Sequence, residues 1–235
     1  TGPVDPLTGC AGTIDLLPGW EGVDLVAPFV ELGHSAALCP SAALENDADA
    51  AALGEAAWGA GRGAERFIYV TISTGIGAGL VFDGHLYRGA RGSHPEIGHH
   101  ILDASGPRCY CGAPGCWEVL ASGPALASAA GLPTAEAACS AARQGDPAAR
   151  AAVERVGNYI GLGLANLITL YGPDVIALGG GVMASYDLFA EKIRATVAAH
   201  TGLMPADLTR IVPAHLDADA GLIGAARVWI HRYAS

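Results

Sequence analysis

Positive charge is scarce in this chain of 235 residues. It has 13 lysines and arginines against 23 aspartates and glutamates, for a formal net charge of −10, and Lys192 is its one lysine. An acidic surface of this kind repels phosphate backbones, so we expect this segment not to bind nucleic acid. A small polyanion such as ATP is still allowed, because backbone N–H groups and Mg²⁺ can neutralise its phosphates locally.

Long apolar runs are also missing. The longest candidate, residues 157–171, is interrupted by Asn158, Asn166 and Thr169 and is too short to span a bilayer. No N-terminal stretch has the pattern of a secretory signal. Apolar residues make up 51% of the chain. We therefore expect a globular protein with a large core, a cytoplasmic location and no membrane partner.

Six cysteines are present, an even count that is compatible with disulfides. A chain of this length with a large core does not need such cross-links. Three of the six cluster at Cys109, Cys111 and Cys116, whereas the others stand apart in apolar or small-residue stretches. Isolated cysteines of that kind are typical of inert core thiols.

The three clustered cysteines have the spacing of a structural metal site. With one histidine they form a Cys₃His set, which satisfies tetrahedral Zn²⁺, and His94, His99 and His100 are all candidates for that ligand. A disulfide or three unrelated thiols would be the alternative. Four protein ligands leave no open position for water, so we expect a structural ion.

Two acidic residues stand at the rim of this cluster. Glu96 lies three residues before His99, and Glu118 lies two residues after Cys116. Paired carboxylates on a stiffened loop suit the vicinal hydroxyls of a sugar. The spacing alone favours two solvated surface acids.

The rest of the chain alternates between strand-like and helix-like patterns, which predicts an α/β fold. The predicted strands cover residues 38–44, 67–72, 80–82, 85–87, 175–178 and 210–213. The predicted helices cover residues 48–58, 121–130, 135–144, 148–170, 188–200 and 220–233. Asp83-Gly84 between two short strands predicts a hairpin.

Two glycine-rich segments follow predicted strands. Residues 73–79 are expected to form the turn between the first two central strands, and residues 179–181 end the strand 175–178. Glycines at such positions let backbone N–H groups approach phosphates without obstruction by a Cβ atom. A plain hairpin turn and a strand-to-helix turn would explain the same residues.

Several motifs resemble the ROK family (repressor, open reading frame, kinase). Glu96-Ile-Gly-His99, followed by Cys109-Tyr-Cys-Gly-Ala-Pro-Gly-Cys-Trp-Glu118, resembles the family signature E-x-G-H then C-x-C-G-x-x-G-C-x-E. Asn46-Asp47-Ala-Asp-Ala-Ala-Ala-Leu-Gly-Glu55 resembles its N-D-A-N-A-A-A-x-G-E block. Thr74-Gly-Ile-Gly-Ala-Gly79 is similar to its second phosphate loop, and Ile176-Ala-Leu-Gly-Gly-Gly-Val182 to its adenosine-side segment.

The resemblance implies an actin-like ATPase (ribonuclease H-like) fold with two lobes around a cleft. Residues 1–47 would be a remnant of the N-terminal lobe, joined by the terminal helix 219–235. Residues 48–218 would form the C-terminal lobe, with the zinc loop 94–118 and the nucleotide-binding segments. The family's opening D-x-G-G-T phosphate loop has no counterpart here, so we expect an incomplete first lobe and an N-terminally truncated chain.

The resemblance also implies a role for each motif. Asp47 would be the general base of a sugar kinase, and the substrate would be bound by Asn46, Glu96, His99 and Glu118. His99 would be the fourth zinc ligand beside Cys109, Cys111 and Cys116, with its other ring nitrogen facing the sugar. The contacts to ATP and Mg²⁺ would come from Thr74, Gly75, Gly77, Gly79, Gly179, Gly180 and Gly181.

Three functions remain open at this point. The first is an ATP-dependent hexose kinase that acts on glucose and assembles as a homodimer or homotetramer. The second is the effector domain of a sugar-responsive transcriptional regulator of the same family. The third is a zinc-stabilised sugar-binding remnant without catalysis.

Three positions depart from the family pattern. Asp49 stands where the family usually has Asn, and Leu16 stands where Asn usually precedes Leu-Pro-Gly. His94-Pro95 precedes Glu96 where a Gly is common, and His-Pro-Glu before Gly-His resembles the fructokinase branch. These departures touch the expected sugar pocket.

Overall fold

A computed structural model describes residues 4–13, 18–35 and 41–233. Its α-helices are α1 (Ala27–Ser35), α2 (Asp47–Trp58), α3 (Trp117–Ala121), α4 (Gly123–Ala130), α5 (Ala135–Arg143), α6 (Pro147–Tyr171), α7 (Tyr186–His200) and α8 (Ala220–Tyr233). Its strands are β1 (Val4–Asp5), β2 (Cys10–Ala11), β3 (Arg66–Ile72), β4 (Ile76–Phe82), β5 (His85–Leu86), β6 (Val175–Gly179) and β7 (Arg210–Pro213).

The central sheet has the strand order β5-β4-β3-β6-β7. β4 is antiparallel to β3, whereas β6 is parallel to it. Thr71 pairs with Gly77 on one side and with Gly179 on the other. Both glycine-rich segments therefore meet at the end of β3, and the carboxyl ends of parallel strands are where open α/β sheets bind ligands.

Helices cover both faces of this sheet, because side chains alternate between faces along each strand. Phe67 and Tyr69 belong to the core shared with α2 and α8. Ile68, Val70 and Ile72 belong to the larger core on the opposite face, with α3 to α7. Within the described ranges, no helix has both the length and the apolar character needed to cross a bilayer.

Most of the predicted elements are confirmed, including the hairpin at Asp83-Gly84, where φ is 51° and 78°. The predicted helix 121–130 begins instead at Gly123, because Ser122 is extended and separates it from α3, which ends at Ala121. Residues 73–79 are not all turn, since β4 already begins at Ile76.

Two elements near the start of the chain differ from expectation. Residues 41–44 form no strand, and residues 38–40 of that prediction lie outside the described residues, as does Leu16. Helix α1 was missed. The sequence did carry a helix-start signal here, an aspartate followed closely by a proline. In the structure, Asp24 accepts hydrogen bonds from Val26 N and Ala27 N, just before Pro28.

Glu55, in the last turns of α2, is fully buried and holds three backbone amides. Oε2 accepts from Ala60 N at 2.7 Å, and Oε1 accepts from His215 N at 2.9 Å and Leu216 N at 2.6 Å. One carboxylate therefore ties the end of α2 to the segment that leads from β7 into α8.

We expect Glu55→Ala to lower the free energy of unfolding by about 3 kcal/mol, because it leaves buried donors unpaired. Urea unfolding measures this change. Glu55→Gln, which keeps an acceptor oxygen, should lose less, and Glu191→Ala on the exposed surface of α7 should change little. Equal losses for Glu55→Ala and Glu191→Ala would contradict the role given to Glu55.

Candidate functional site

Four predicted metal ligands converge in the structure. The ligand atoms of His99, Cys109, Cys111 and Cys116 all lie within 4.8 Å of one another. Cys109 Sγ lies 3.5 Å from His99 Nδ1, and Cys111 Sγ lies 3.5 Å from Cys116 Sγ. A tetrahedral zinc ion with Zn–S bonds of about 2.3 Å needs sulfur–sulfur separations near 3.8 Å, so the donor set fits this ion.

The two competing histidines lie outside this cluster. His94 Nδ1 contacts Asp49, and His100 Nδ1 donates to the Ile97 carbonyl oxygen at 2.5 Å. Burial lowers the pKa of His100, so its ring is neutral near neutral pH. Among the three candidates, the structure therefore brings His99 to the cysteines.

Local hydrogen bonds shape the loop that carries the cysteines. Cys109 N donates to Ala113 O at 2.9 Å, and Gly112 N donates to Cys109 O at 3.0 Å. Gly112 and Gly115 have φ of 92° and 59°, which a glycine adopts without strain. Burial raises the pKa of the Cys116 thiol to about 12, and a bound cation would reverse that shift by stabilising the thiolate.

The second ring nitrogen of His99 meets a residue that was not expected. Tyr110 OH lies 2.9 Å from His99 Nε2, and the two rings stand edge to face. Burial, reinforced by Glu118, raises the pKa of Tyr110 to about 12, so its hydroxyl stays protonated. The nitrogen expected to face a sugar thus already has a hydroxyl partner, which a sugar hydroxyl would have to replace.

Glu118 is half-buried and fixed by the backbone of β4. Its Oε2 accepts from Ile76 N at 2.9 Å. A Cβ atom at Gly75 would run into the same carboxylate. Gly75, expected to approach phosphates, therefore makes room for Glu118.

Glu96 is exposed and leads into the 3₁₀ turn Ile97–His99. Ile97 N donates to Pro95 O at 2.9 Å, and Glu96 between them has φ −82° and ψ 66°. These angles define an inverse γ-turn, which fixes the direction of the Glu96 side chain at its root.

Asn46 and Asp47 stand where α2 begins. Asn46 is buried and caps the helix, since its Oδ1 accepts from Ala48 N at 2.9 Å and Asp49 N at 3.3 Å. Its amide NH₂ group is the part that could donate to a sugar. Asp47 is exposed in the first turn of α2.

Helix α2 approaches β4 unusually closely through small residues. Gly77 lies beneath Ala48, and a Cβ atom at Gly79 would occupy the position of the Ala52 side chain. Both glycines are ladder residues of β4, paired with Thr71 and Tyr69. These two glycines therefore let α2 pack against the sheet, and their contact with phosphates stays a prediction.

The glycines at the end of β6 serve the cleft more directly. Gly180 has φ 89° and ψ 165°, and a Cβ atom there would lie 2.5 Å from Ile72 O. A Cβ atom at Gly179 would meet the Tyr69 hydroxyl, whereas at Gly181 the nearest atom is Ser73 Oγ at 3.8 Å. Only Gly181 of the three is exposed.

Asp47, Gly180 and Gly181 line one cleft of about 330 Å³. Tyr69, Thr71 and Asp217 line it as well, and sequence reasoning missed them. Burial, with a smaller effect of the carboxylates Glu55, Asp47 and Asp217, raises the pKa of Tyr69. The signal that could have found these residues was their position at the carboxyl end of β3 and before α8.

A second cleft of about 270 Å³ shares Gly181 with the first. Ser73 and Thr74 line it, together with residues that were not expected, among them Pro124 and Glu136. Of the predicted glycine loop, Ser73 and Thr74 therefore line a cleft. Gly75, Gly77 and Gly79 instead lie against Glu118 and α2.

Comparison with known proteins gives consistent matches over nearly the whole chain. The sequence profile of the ROK family matches residues 2–232. The xylose repressor of Bacillus subtilis is 31% identical over 220 residues, which is 91% of this chain and 56% of the repressor. The glucokinase of Thermotoga maritima is 31% identical over 97% of this chain and 76% of the enzyme.

Solved structures agree with these sequence matches. The ROK hexokinase of Thermus thermophilus has a TM-score of 0.79 and 34% identity, over all of this chain and 78% of that one. A ROK glucokinase of Streptomyces griseus, solved with glucose and AMPPNP, has a TM-score of 0.79 and 30% identity over 93% of this chain and 76% of that one. The chain spans little more than half the length of the xylose repressor it matches.

We expect the purified protein to carry about one zinc ion per chain, bound by the Cys₃His set. Cys111→Ser should abolish zinc in elemental analysis, and chelation should lower the Tm of the wild type. Cys10→Ser, in β2, is the matched control and should keep its zinc. A wild-type protein without metal, or an unchanged zinc content in Cys111→Ser, would rule out this site.

We expect Gly180→Ala to destabilise the protein by about 2 kcal/mol or more, because alanine at that φ and ψ is strained and meets the β3 backbone. Gly181→Ala should unfold with nearly the wild-type free energy, since no atom blocks its Cβ. Denaturant unfolding of the two variants distinguishes them. Similar losses would contradict the difference drawn between these glycines.

Proposed function

This chain belongs to the ROK family, and we propose that it forms the sugar-binding and nucleotide-binding part of an ATP-dependent hexose kinase, with glucose as the first substrate to test. The observation that supports this proposal most strongly is the single cleft that holds Asp47 together with Gly180 and Gly181. A carboxylate and a glycine turn in one cleft are what phosphoryl transfer to a hydroxyl requires.

In the proposed reaction, a sugar hydroxyl attacks the γ-phosphorus of ATP. The new O–P bond forms as the bond to the β-phosphate oxygen breaks and ADP leaves. Asp47 lies at the helix terminus as a carboxylate and takes the hydroxyl proton late in this step. Mg²⁺ would accompany the nucleotide and neutralise its phosphates.

The nucleotide would extend from the Asp47 cleft into the neighbouring one. Gly181 lines both clefts, and Ser73 and Thr74 line the second. Backbone N–H groups at Gly180 and Gly181 would meet the phosphates. The apolar wall that includes Pro124 would take the base.

The sugar would be held by groups on two parts of the structure, the start of α2 and the cysteine loop, which we call the two supports of the sugar site. Asn46 stands at the start of α2, and Glu96, His99 and Glu118 stand beside the cysteine loop. When bound, zinc would supply structural rigidity, with His99 Nδ1 and three thiolates as its ligands. Because Nδ1 would be occupied, the proton of a neutral ring would sit on Nε2, which makes it a hydrogen-bond donor to the substrate.

A regulator effector domain is the second candidate, and the match to a xylose repressor over 91% of this chain favours it. The same zinc loop and sugar contacts would serve a sensor. The two functions differ in whether Asp47 transfers a proton during turnover, and a kinetic experiment separates them.

We expect Asp47→Asn to lower kcat for sugar-dependent ADP formation by about 100-fold or more, because the general base is lost. The Kd for glucose, from calorimetry, should stay within about threefold of the wild type, since one acceptor oxygen remains. A coupled ADP assay at saturating Mg²⁺ and ATP measures the rate.

The control is Asp83→Asn at the hairpin tip, where asparagine tolerates the positive φ. It should have the wild-type rate. Equal rates for Asp47→Asn and Asp83→Asn would end the assignment of Asp47 as base. Glucose binding without turnover in the wild type would favour the regulator.

We expect Gly181→Ala to raise the KM for ATP by about tenfold, since a methyl group would stand where the phosphates approach. The KM for glucose should hardly change, and the fold should be intact. Gly221→Ala, with open space around its Cβ in the same cleft, is the matched comparison. If Gly181→Ala raised the KM for glucose as much as the KM for ATP, a phosphate contact at Gly181 would be contradicted.

A further inference from the structure

A buried ionic cluster lies between the two supports of the proposed sugar site. Asp49 is fully buried in the first turn of α2. Both the Arg88 guanidinium and His94 Nδ1 contact its Oδ2, the latter at 2.6 Å. The His94 side chain is only 7% exposed, so this contact is shielded from water.

The carboxylate of Asp49 depends on these two partners. Its other oxygen, Oδ1, is also buried, and within the described part of the chain no group donates to it. A carboxylate can only accept, so His94 Nδ1 carries the shared proton. A buried charge is costly unless it is paired, which makes the loss of either partner consequential.

His94 is joined to Glu96 by a short and stiff piece of backbone. Pro95 has its φ fixed by its ring. Glu96 follows at the centre of the inverse γ-turn closed by Ile97 N and Pro95 O at 2.9 Å. The direction of the Glu96 side chain is therefore set by the place where His94 is anchored.

The other end of the cluster reaches Asn46 and Asp47. Arg88 also pairs with Glu45 Oε1 at 2.5 Å, and the same oxygen accepts from Asn46 N at 2.8 Å. Asp49 N is held by the Asn46 side chain. Glu45 and Asp49 thus bracket the pair Asn46-Asp47, and one arginine holds both.

We propose that the Asp49–His94 contact, supported by Arg88, is a positioning device that sets Glu96 against Asn46 and Asp47 and thereby sets the affinity for the sugar. The proposal rests on the proposed function, in which Glu96 contacts the sugar. The two departures from the family pattern at positions 49 and 94 are in direct contact.

The test compares His94→Leu with His94→Asn in zinc-loaded protein. Asparagine can place an N–H donor where Nδ1 stands, whereas leucine cannot. We expect His94→Leu to raise the Kd and KM for glucose about tenfold. The values of kcat and of the KM for ATP should stay within about threefold of the wild type, because the lost contact would stabilise the bound sugar equally in the ground state and the transition state. His94→Asn should stay within about threefold of the wild type throughout.

A second readout does not depend on the sugar. Hydrogen exchange of the Ile97 amide, measured without ligand, reports whether the turn at Glu96 keeps its geometry. His94→Leu should exchange at least about tenfold faster at this amide, and His94→Asn should not.

The control is His85→Leu, at an exposed histidine that begins β5, which should leave the affinity for glucose, the kinetic constants and the Ile97 exchange unchanged. Equal effects of His94→Leu and His94→Asn would overturn the proposal, as would parallel losses in the KM for glucose and for ATP. If the wild type binds no glucose, the proposed function fails. The Ile97 amide then decides the positioning claim, and unchanged exchange in His94→Leu overturns it.

Discussion

The close approach of α2 to β4 is the constraint on which the rest of the site depends. Ala48 and Ala52 pack over Gly77 and Gly79, and a Cβ atom at Gly79 would clash with Ala52 and push the helix away from the sheet. At that distance the N-terminus of α2 reaches the carboxyl end of β3, and Asp47 shares a cleft with Gly180 and Gly181. The absence of side chains at these glycines of β4 is therefore as important for the site as the side chains that are present.

A second anchor lies on the other side of β4. Ile76, the first residue of that strand, donates its N–H to Glu118, and the cysteine loop ends just before Glu118. Because Gly75 leaves room for this carboxylate, the strand that supports α2 also fixes an acidic group beside the metal cluster. A single strand thus relates the proposed base to the proposed sugar contacts.

The sequence allowed the parts of this site that are local along the chain to be predicted. The four metal ligands fall within 18 residues, so spacing and residue type were enough to bring them together, although the choice of His99 needed the family resemblance. The strand-like and helix-like patterns that predicted most of the elements are local in the same way. Such patterns record which face of an element is buried.

The parts of the site that the sequence could not give depend on contacts between distant segments. A run of alternating glycines suits a phosphate turn and a strand beneath a helix equally well, and only the position of α2 separates these readings for Gly77 and Gly79. Asp49 and His94 are 45 residues apart, so two departures that looked independent could not be recognised as partners. The cleft residues Tyr69 and Asp217 were missed because neither belongs to a glycine or cysteine motif.

The arrangement also explains how one scaffold can serve both kinds of relative. The groups proposed to hold the sugar are fixed by the metal cluster, by Ile76 and by the buried ionic cluster, none of which involves the nucleotide. The groups proposed for phosphoryl transfer stand on the end of α2 and the turn after β6. Asn46 and Asp47 share the start of α2, so the two sets meet there, whereas Glu96, His99 and Glu118 stand on the cysteine loop, away from the turn after β6. A kinase and a sensor could therefore differ in Asp47 and its cleft while these three groups stay in place.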